Sequence, residues 1–484
     1  MSDLKEQLIG IVGHENVVTD KVDRVAYARD LTPYFALAEI IVFPTSKEQV
    51  VEVINTAKKH GIPITPRGGG ASFQGSSLPI KGGILLDLSR MNKILEISKE
   101  DMVAVVQPGV RYETFDKVLS DHDLSWPHDV GSHDAASIGG ILASDSNGHH
   151  AYKHGRVGSW IRGMEIVLAD GSTLRLGTRA PRYNMGYNLS ALFSGSQGTL
   201  GVITEAMLHL VPRPKYNASI GAFFDDLDDL MAASHEIHLS GVEAGTLEAT
   251  DGFTVKVTNE VMGLGFPECE GNFVADIQAF DKEDLDRRLS IMADILRKHG
   301  GEEILFAYDR EGIRRLWAPR LEVDVALMKT NPGFREVGFA AADPCVPLSK
   351  QAEAMREIGK IIRSHGLIAA VFCHTGIGII HPAALLDPKS QDDWKALKLA
   401  EKEVIEYVLS IGGVLSAEHG LGYVKNPYVK QAVGEKKLEL DRKIKELLDP
   451  DGLFNPRKMA LDTDDRDVEA QPIHSAYVTD KEAW

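Results

Sequence analysis

Pro66-Arg67-Gly68-Gly69-Gly70-Ala71-Ser72-Phe73-Gln74-Gly75-Ser76-Ser77 follows Ile62-Pro63-Ile64-Thr65, a short apolar run that reads as a strand. Glycine tolerates positive φ and lets a phosphate approach the backbone, so a loop of this kind can converge several N–H groups on an anion. It has neither the G-K-[ST] of a Walker A loop nor the GxGxxG of a Rossmann unit. Alone, it reads equally as a tight-turned loop. Two more small-residue runs, Ala136-Ser137-Ile138-Gly139-Gly140-Ile141-Leu142-Ala143-Ser144 and Gly195-Ser196-Gln197-Gly198-Thr199-Leu200-Gly201-Val202-Ile203-Thr204, lie next to strand signals in the same region. Three such runs in one unit favour a large cofactor over three coincidental turns.

Outward from the loop, short strands and a few helices are expected. Residues 46–61 predict a helix: Ser46 and Gln49 have capping-box spacing, Val50, Ile54 and Ala57 form a stripe, and Gly61 ends it. Residues 83–88 and 102–107 read as buried strands, and 112–121 as a helix. Residues 164–168 and 173–176, around Asp170-Gly171, read as a hairpin. Val211-Pro212-Arg213-Pro214 is a plausible boundary, because its prolines stop regular structure. Beyond it, helical segments at 225–239, 281–299, 349–365 and 392–410 alternate with strand-like runs at 273–280 and 304–308. Their acidic outer faces read as solvated surface. No internal repeat is visible, and the polar residues from Asp462 onward read as a tail wrapping the surface or a partner.

The 484 residues are too many for one core, so two or three domains are expected. A hydrophobic content of 43% and a charged content of 25% are ordinary for a globular protein. The net charge of −17 argues against nucleic acid or an anionic membrane as the main partner. No signal-peptide pattern opens the chain, and no apolar run is long enough to span a bilayer. Cys269, Cys345 and Cys373 are far apart and read as three buried thiols in a reducing cytoplasm, not as a cluster site.

In the second half, His374-Thr375-Gly376-Ile377-Gly378-Ile379-Ile380-His381 precedes Ser416-Ala417-Glu418-His419-Gly420-Leu421-Gly422 by about forty residues. Two imidazoles and a carboxylate, here His374, His381 and Glu418, are an ordinary ligand set for zinc, manganese or iron. His419 remains for proton transfer, and a metal beside a free histidine suits removal of a proton from a hydroxyl group.

These motifs carry a resemblance. Phe43–Val50, the Pro66–Ser77 loop, Ser137–Ser144 and Gly195–Thr204 resemble the FAD-binding domain shared by vanillyl-alcohol oxidase and p-cresol methylhydroxylase. Glu418-His419-Gly420 and Asp449-Pro450-Asp451-Gly452-Leu453-Phe454-Asn455-Pro456 are similar to the closing motifs of one branch. That branch contains D-lactate dehydrogenase, the glycolate oxidase catalytic subunit and D-2-hydroxyglutarate dehydrogenase. The resemblance covers roughly residues 20–460 and implies an α+β fold. A two-subdomain FAD-binding domain of p-cresol methylhydroxylase type is expected over 1–212. An α+β substrate (cap) domain with an antiparallel sheet and the metal site is expected over 213–425, and a helical segment returning to the first domain, plus the tail, over 426–484.

By resemblance, Arg67, Gly68, Gly69, Gly70, Ala71, Ser72, Gly75 and Ser76 hold the FAD diphosphate. Ser137, Gly140, Ser144 and Val202 line the rest, and Asn455 lies near the isoalloxazine. The branch holds FAD without a covalent bond, which leaves His128 an ordinary polar residue, covalent linkage there being the minor alternative. His374, His381 and Glu418 hold the metal, and His419 takes the hydroxyl proton while hydride passes to flavin N5. Arg320, in Leu316-Trp317-Ala318-Pro319-Arg320, grips the substrate carboxylate or, equally, makes a surface salt bridge.

The chain departs from the family's pattern at several points. The usual metal loop, H-x-G-D-G-N-x-H, has Ile377 and Ile379 in place of its aspartate and asparagine. Ala383 stands at a polar substrate position, Gln197 replaces a glutamate, and Asp145-Ser146-Asn147-Gly148 replaces N-A-G-G. Ala341 and Asp324 stand where the hydroxyglutarate enzymes read a second carboxylate, which favours a short acid over a dicarboxylate. The expected function is a cytoplasmic FAD-dependent dehydrogenase of a D-2-hydroxy acid, D-lactate-like or glycolate-like. Its electrons pass to an electron-transferring flavoprotein, an iron–sulfur subunit or a quinone, and a homodimer is common in the family. The rivals are a metal-free FAD enzyme acting on another alcohol and a non-catalytic FAD relay subunit.

Overall fold

The computed structural model describes residues 2–462, so the tail expected beyond Asp462 lies outside the described residues. These residues form two compact units. One contains the chain up to Gly148, Arg156–Arg213 and the chain from Glu418; the other contains His149–Gly155 and Pro214–Ala417.

The first unit has two cores. A four-stranded sheet runs in the order Val17–Val18, Ile40–Val42, Ile84–Asp87, Ile64–Arg67. The last three strands are mutually parallel. Pro66 is tolerated because its strand is at the sheet edge, where a missing N–H breaks no ladder. Helix Lys47–His60 packs Val50, Val53, Ile54 and Ala57 into this core with Ile40, Val42, Ile84, Leu86 and Phe454. Ser46 Oγ accepts from Gln49 N at 3.3 Å and Gly61 closes the helix at φ 63°, as its sequence requires. The reciprocal arm of the cap differs from the expected box: Gln49 Oε1 accepts from Thr45 N, one residue earlier than Ser46.

The second core lies under a five-stranded antiparallel sheet in the order Ile94–Ser98, Val103–Val106, Val202–His209, Ile161–Val167, Thr173–Gly177. The last two strands form the expected hairpin, with Gly171 at φ 80° in its turn. Phe115, Trp126, Ile138, Leu142 and Phe193 pack beneath the sheet. Val211–Pro212 does not end regular structure outright, because it pairs with Leu124–Ser125 before the chain leaves the unit.

Helices Asn426–Val433 and Glu435–Leu448 follow in the same unit, and Phe454 then bridges Ile64. Just beyond, Lys458 is 1% exposed and donates from Nζ to Leu78 O at 2.7 Å. Burial pushes its pKa down to about 7, against the pull of Asp30 and Asp462. Between that value and the ordinary 10.5, the unfolded chain holds a proton that the native state has released. Stability therefore rises with pH across this window, by at most about 1.4 kcal/mol per pH unit. Lys458→Met should flatten that rise, measured by urea unfolding near pH ~7 and ~10.

The second unit is built on a seven-stranded sheet with every pairing antiparallel. Its order is Glu302–Ala307, Tyr216–Phe224, Gly271–Ala279, Thr246–Asp251, Ile368–His374, Ile379–Leu386, Arg335–Glu336. Helices cover both faces. Ala370, Phe372, Ala383 and Leu385 pack on Val257, Val323 and Leu327 on one face, while Cys373 Sγ lies 3.4 Å from Met355 Sδ on the other. Helices Leu227–Leu239 and Lys282–Lys298 fall in the segments expected at 225–239 and 281–299, and they begin at Asp226 and Asp281, whose carboxylates accept from the first turn. Only Cys373 of the three thiols is fully buried, and Cys269 and Cys345 are half-buried, contrary to the expectation of three buried thiols. Burial still pushes the Cys269 thiol up to about 12. Among the described residues no helix is long and apolar enough to cross a membrane.

Candidate functional site

In the first unit the glycine loop is packed against the second small-residue run. A Cβ on Gly68 would lie 2.2 Å from Ser137 Oγ, and one on Gly69 1.9 Å from Ala135 O, so both positions need glycine. The Ser137–Ser144 run is a helix, Ile138–Ser144, capped by Ser137 Oγ, which accepts from Gly140 N at 3.3 Å. The third run joins it: Gly195 N donates to Leu142 O and Gln197 N to Ala143 O. Val202, one residue after that run's loop, is buried at the start of its strand.

The closing motifs of the same unit reach these loops. Gln197 Oε1 accepts from Gly422 N at 2.7 Å and from Ser76 Oγ at 3.1 Å. Asn455 donates from Nδ2 to Ser76 O and Gln197 O at 2.9 and 2.7 Å. The ring of His419 stacks on Phe73, centroids 4.8 Å apart and 18° from parallel. Its Nε2 lies 3.7 Å from Glu418 Oε1.

Two observations fit this unit to a dinucleotide-sized anionic cofactor. Gly69, Gly70 and Ala71 donate to no carbonyl among the described residues, although Ser72 Oγ takes up Gln74 N and Ser76 N. Asn455 Oδ1 is buried without a hydrogen-bond partner. Arg67 does not share this arrangement. Its guanidinium is already engaged with Tyr27 O, Arg29 O and Asp87, and it lies against Gly70, where a Cβ would stand 2.1 Å from Nη2. Gly69→Ala should cost about 1–3 kcal/mol through overpacking and lower flavin occupancy, read as the flavin-to-protein absorbance ratio of the purified protein.

In the second unit, strand register sets the chemistry. His374 faces Ile379, and Phe372 faces His381, across one antiparallel pair. Side chains two residues apart share a face, so His374, Ile379 and His381 are on one face. On the other neighbouring strand, Glu248 is the direct partner of His374. His374 Nδ1 lies 2.6 Å from Glu248 Oε1. Thr246 Oγ1 donates to the same oxygen at 2.7 Å, and Arg320 Nε donates to Oε2 at 2.8 Å. Arg320 comes from helix Arg310–Leu321 and also lies over the Phe372 ring, 4.4 Å from its centroid.

Glu248 is fully buried. Burial by itself would raise its pKa, but the charges of His374 and Arg320, with the hydrogen bond from His374 and His149 nearby, hold it well below the usual carboxylate range. His149 Nδ1 stands 3.6 Å from the same carboxylate, and its ring is edge-on to both Trp317 and His374. His381 Nδ1 is 3.1 Å from Ala342 O. The face thus carries a buried polar island of one carboxylate, two imidazoles and a guanidinium, with the half-buried His149 imidazole at its edge.

The expected site residues therefore fall into two sets. Gly68, Gly69, Gly70, Ala71, Ser72, Gly75, Ser76, Ser137, Gly140, Ser144, Val202, Asn455, Glu418 and His419 belong to the first unit, and Arg320, His374 and His381 to the second. Arg320 does not make the surface salt bridge offered as its bland alternative, since its pair with Glu248 is buried. Glu248 and His149 were not foreseen. The one local signal for Glu248 was the polar spacing Thr246-x-Glu248-x-Thr250, which Asp251 on the opposite side of the same strand blurs.

Residues 38–177 match the FAD binding domain family, and residues 213–459 match the family of FAD linked oxidases, C-terminal domain. The glycolate oxidase subunit GlcD of Bacillus subtilis (strain 168) is 30% identical over 94% of this chain and 96% of its own length. A mitochondrial D-lactate dehydrogenase [cytochrome] of Arabidopsis thaliana is 29% identical over 92% of this chain and 78% of its own. Among solved structures, p-cresol methylhydroxylase with substrate bound superposes with a TM-score of 0.79 at 19% identity. The match covers 95% of this chain and 97% of that one.

Proposed function

The chain belongs to the FAD-linked oxidase family, and we propose that within it the protein is a dehydrogenase of a short D-2-hydroxy acid, D-lactate-like or glycolate-like. The product is the 2-oxo acid. The observation that supports this best is the buried island on the second unit's sheet, where Arg320, Glu248 and His374 are linked and His381 shares their face. Bound FAD supplies the hydride acceptor, N5 of the isoalloxazine.

The chain's own residues divide the remaining work. Gly68, Gly69, Gly70, Ala71, Ser72, Gly75 and Ser76 hold the FAD diphosphate, with Ser137, Gly140, Ser144 and Val202 lining the rest and Asn455 facing the ring. His374, His381 and Glu418 are the proposed ligands for a zinc, manganese or iron ion. A divalent ion held there would supply Lewis acidity to the substrate hydroxyl. His419, its ring held by Phe73, accepts that hydroxyl proton. Arg320 has Nε committed to Glu248 and uses its remaining N–H groups for the substrate carboxylate. Ala341 and Asp324 give no cation for a second carboxylate, which selects a short acid.

The electrons leave to an external acceptor: an electron-transferring flavoprotein, an iron–sulfur subunit or a quinone. Work in the cytoplasm fits three thiols outside any disulfide. One observation favours a second reading: Ile379, buried opposite His374, puts an apolar side chain on the ligand face. That suits a metal-free enzyme acting on a less polar alcohol. Anaerobic titration with D-lactate, L-lactate, glycolate and D-2-hydroxyglutarate, following flavin absorbance, tests the proposal. Bleaching by a short D-acid or by glycolate is expected, and no bleaching by any of the four would exclude the 2-hydroxy acid assignment.

A further inference from the structure

We propose that Glu248 is the positioning residue of His374: it accepts the Nδ1 proton, fixes the imidazole's tautomer and ring orientation, and so makes Nε2 the metal-binding nitrogen. This rests on the reading of His374 as a metal ligand given above.

Glu248 accepts from Thr246 Oγ1 on Oε1 and from Arg320 Nε on Oε2, so the carboxylate is set as an acceptor and His374 Nδ1, 2.6 Å from Oε1, is placed to donate to it. Glu248 is well fitted for this role. It is the direct cross-strand partner of His374, so the contact is set by backbone register and not by a flexible reach. Both of its oxygens are occupied, Oε1 by His374 and Thr246 and Oε2 by Arg320, which leaves the carboxylate little freedom to turn. His149, edge-on to the His374 ring with centroids 5.5 Å apart, borders the imidazole from a third side.

A competing use of the same residues is a separate metal site formed by His149, Glu248 and His374, whose ligand atoms lie within 4.8 Å of one another. Two physical facts decide against it. Ligands bound at about 2.0–2.2 Å to one tetrahedral ion lie about 3 Å or more apart, whereas His374 Nδ1 and Glu248 Oε1 are 2.6 Å apart, a hydrogen-bond distance. The Arg320 guanidinium, 2.8 Å from the other oxygen, already supplies the positive charge, and a dication would have to sit beside it. The geometry is that of a carboxylate behind a histidine ligand. Partners of this kind raise the basicity of the ligand nitrogen, and losing one typically weakens metal binding about 10–100-fold.

The test uses the FAD-loaded full chain and two readouts other than turnover. Zinc and manganese affinities are measured by competition with a chromophoric chelator for the wild type and for Glu248→Gln. The tautomer of His374 is read from long-range 1H–15N spectra of the wild type, assigned by the signal lost in His374→Asn. The expected result is an Nδ1–H tautomer and a Glu248→Gln protein that keeps its flavin but binds either metal about 10–100-fold more weakly. Equal affinity in a flavin-replete Glu248→Gln protein overturns the proposal. So does an Nε2–H tautomer in the wild type, a result that stands even if the variant does not fold. A wild type that binds neither metal removes the metal reading itself, and Glu248's role with it.

Discussion

His419→Ala is expected to slow reduction of the bound flavin by substrate about 10²–10⁴-fold, the usual contribution of a positioned general base, while the protein stays yellow. The residue stacks on Phe73, within the glycine loop, and neighbours Glu418. The glycines that follow it are fixed by packing. A Cβ on Gly420 would lie 2.3 Å from Gln197 Nε2, and one on Gly422 2.0 Å from Gln74 O. The segment is thus anchored immediately after its functional side chain, and truncating His419 should remove the base without loosening the flavin. Anaerobic stopped-flow absorbance measures it. A rate within about twofold of the wild type would remove His419 from proton transfer.

The second large effect is on stability. Arg320→Met leaves the fully buried Glu248 carboxylate without its guanidinium partner, and breaking a buried pair in this way costs about 3–5 kcal/mol. Both members are inaccessible, with side chains 10% and 0% exposed, so solvent does little to screen the pair. Replacing both, Arg320→Met with Glu248→Met, should recover much of the loss, because apolar side chains of similar volume tolerate the site better than one unpaired charge. Urea unfolding midpoints of the two variants and the wild type measure this. A single variant within about 1 kcal/mol of the wild type would mean that water reaches Glu248.

Local signals in the sequence carried much of the fold. Ser46 announces a helix because a capping side chain acts on an N–H group three residues away. The glycine loop was legible because close approach to Ser137 and Ala135 excludes a Cβ. Helix Ile138–Ser144 was not, since two glycines in seven residues oppose helix formation. The glycine at 139 is needed for packing, because a Cβ there would stand 2.5 Å from the Pro108 ring.

Strand Thr246–Asp251 was missed for a different reason. Helices bury both faces of its sheet, so its pattern is not the simple alternation of apolar and polar residues that marks a strand with one wet side. Glu248 meets His374 across 126 positions of sequence, through a register that no local window contains. The histidines and the arginine stood out by spacing and motif. The carboxylate that links them became visible only once the strands were paired.

Single-turnover reduction of the bound flavin by D-lactate, recorded anaerobically before chelation, after chelation and after zinc or manganese is restored, tests the proposed chemistry most directly. The expected result is bleaching that chelation abolishes and the metal restores, with L-lactate inactive throughout. Undiminished bleaching after complete metal removal, or equal reduction by both lactate enantiomers, would contradict it.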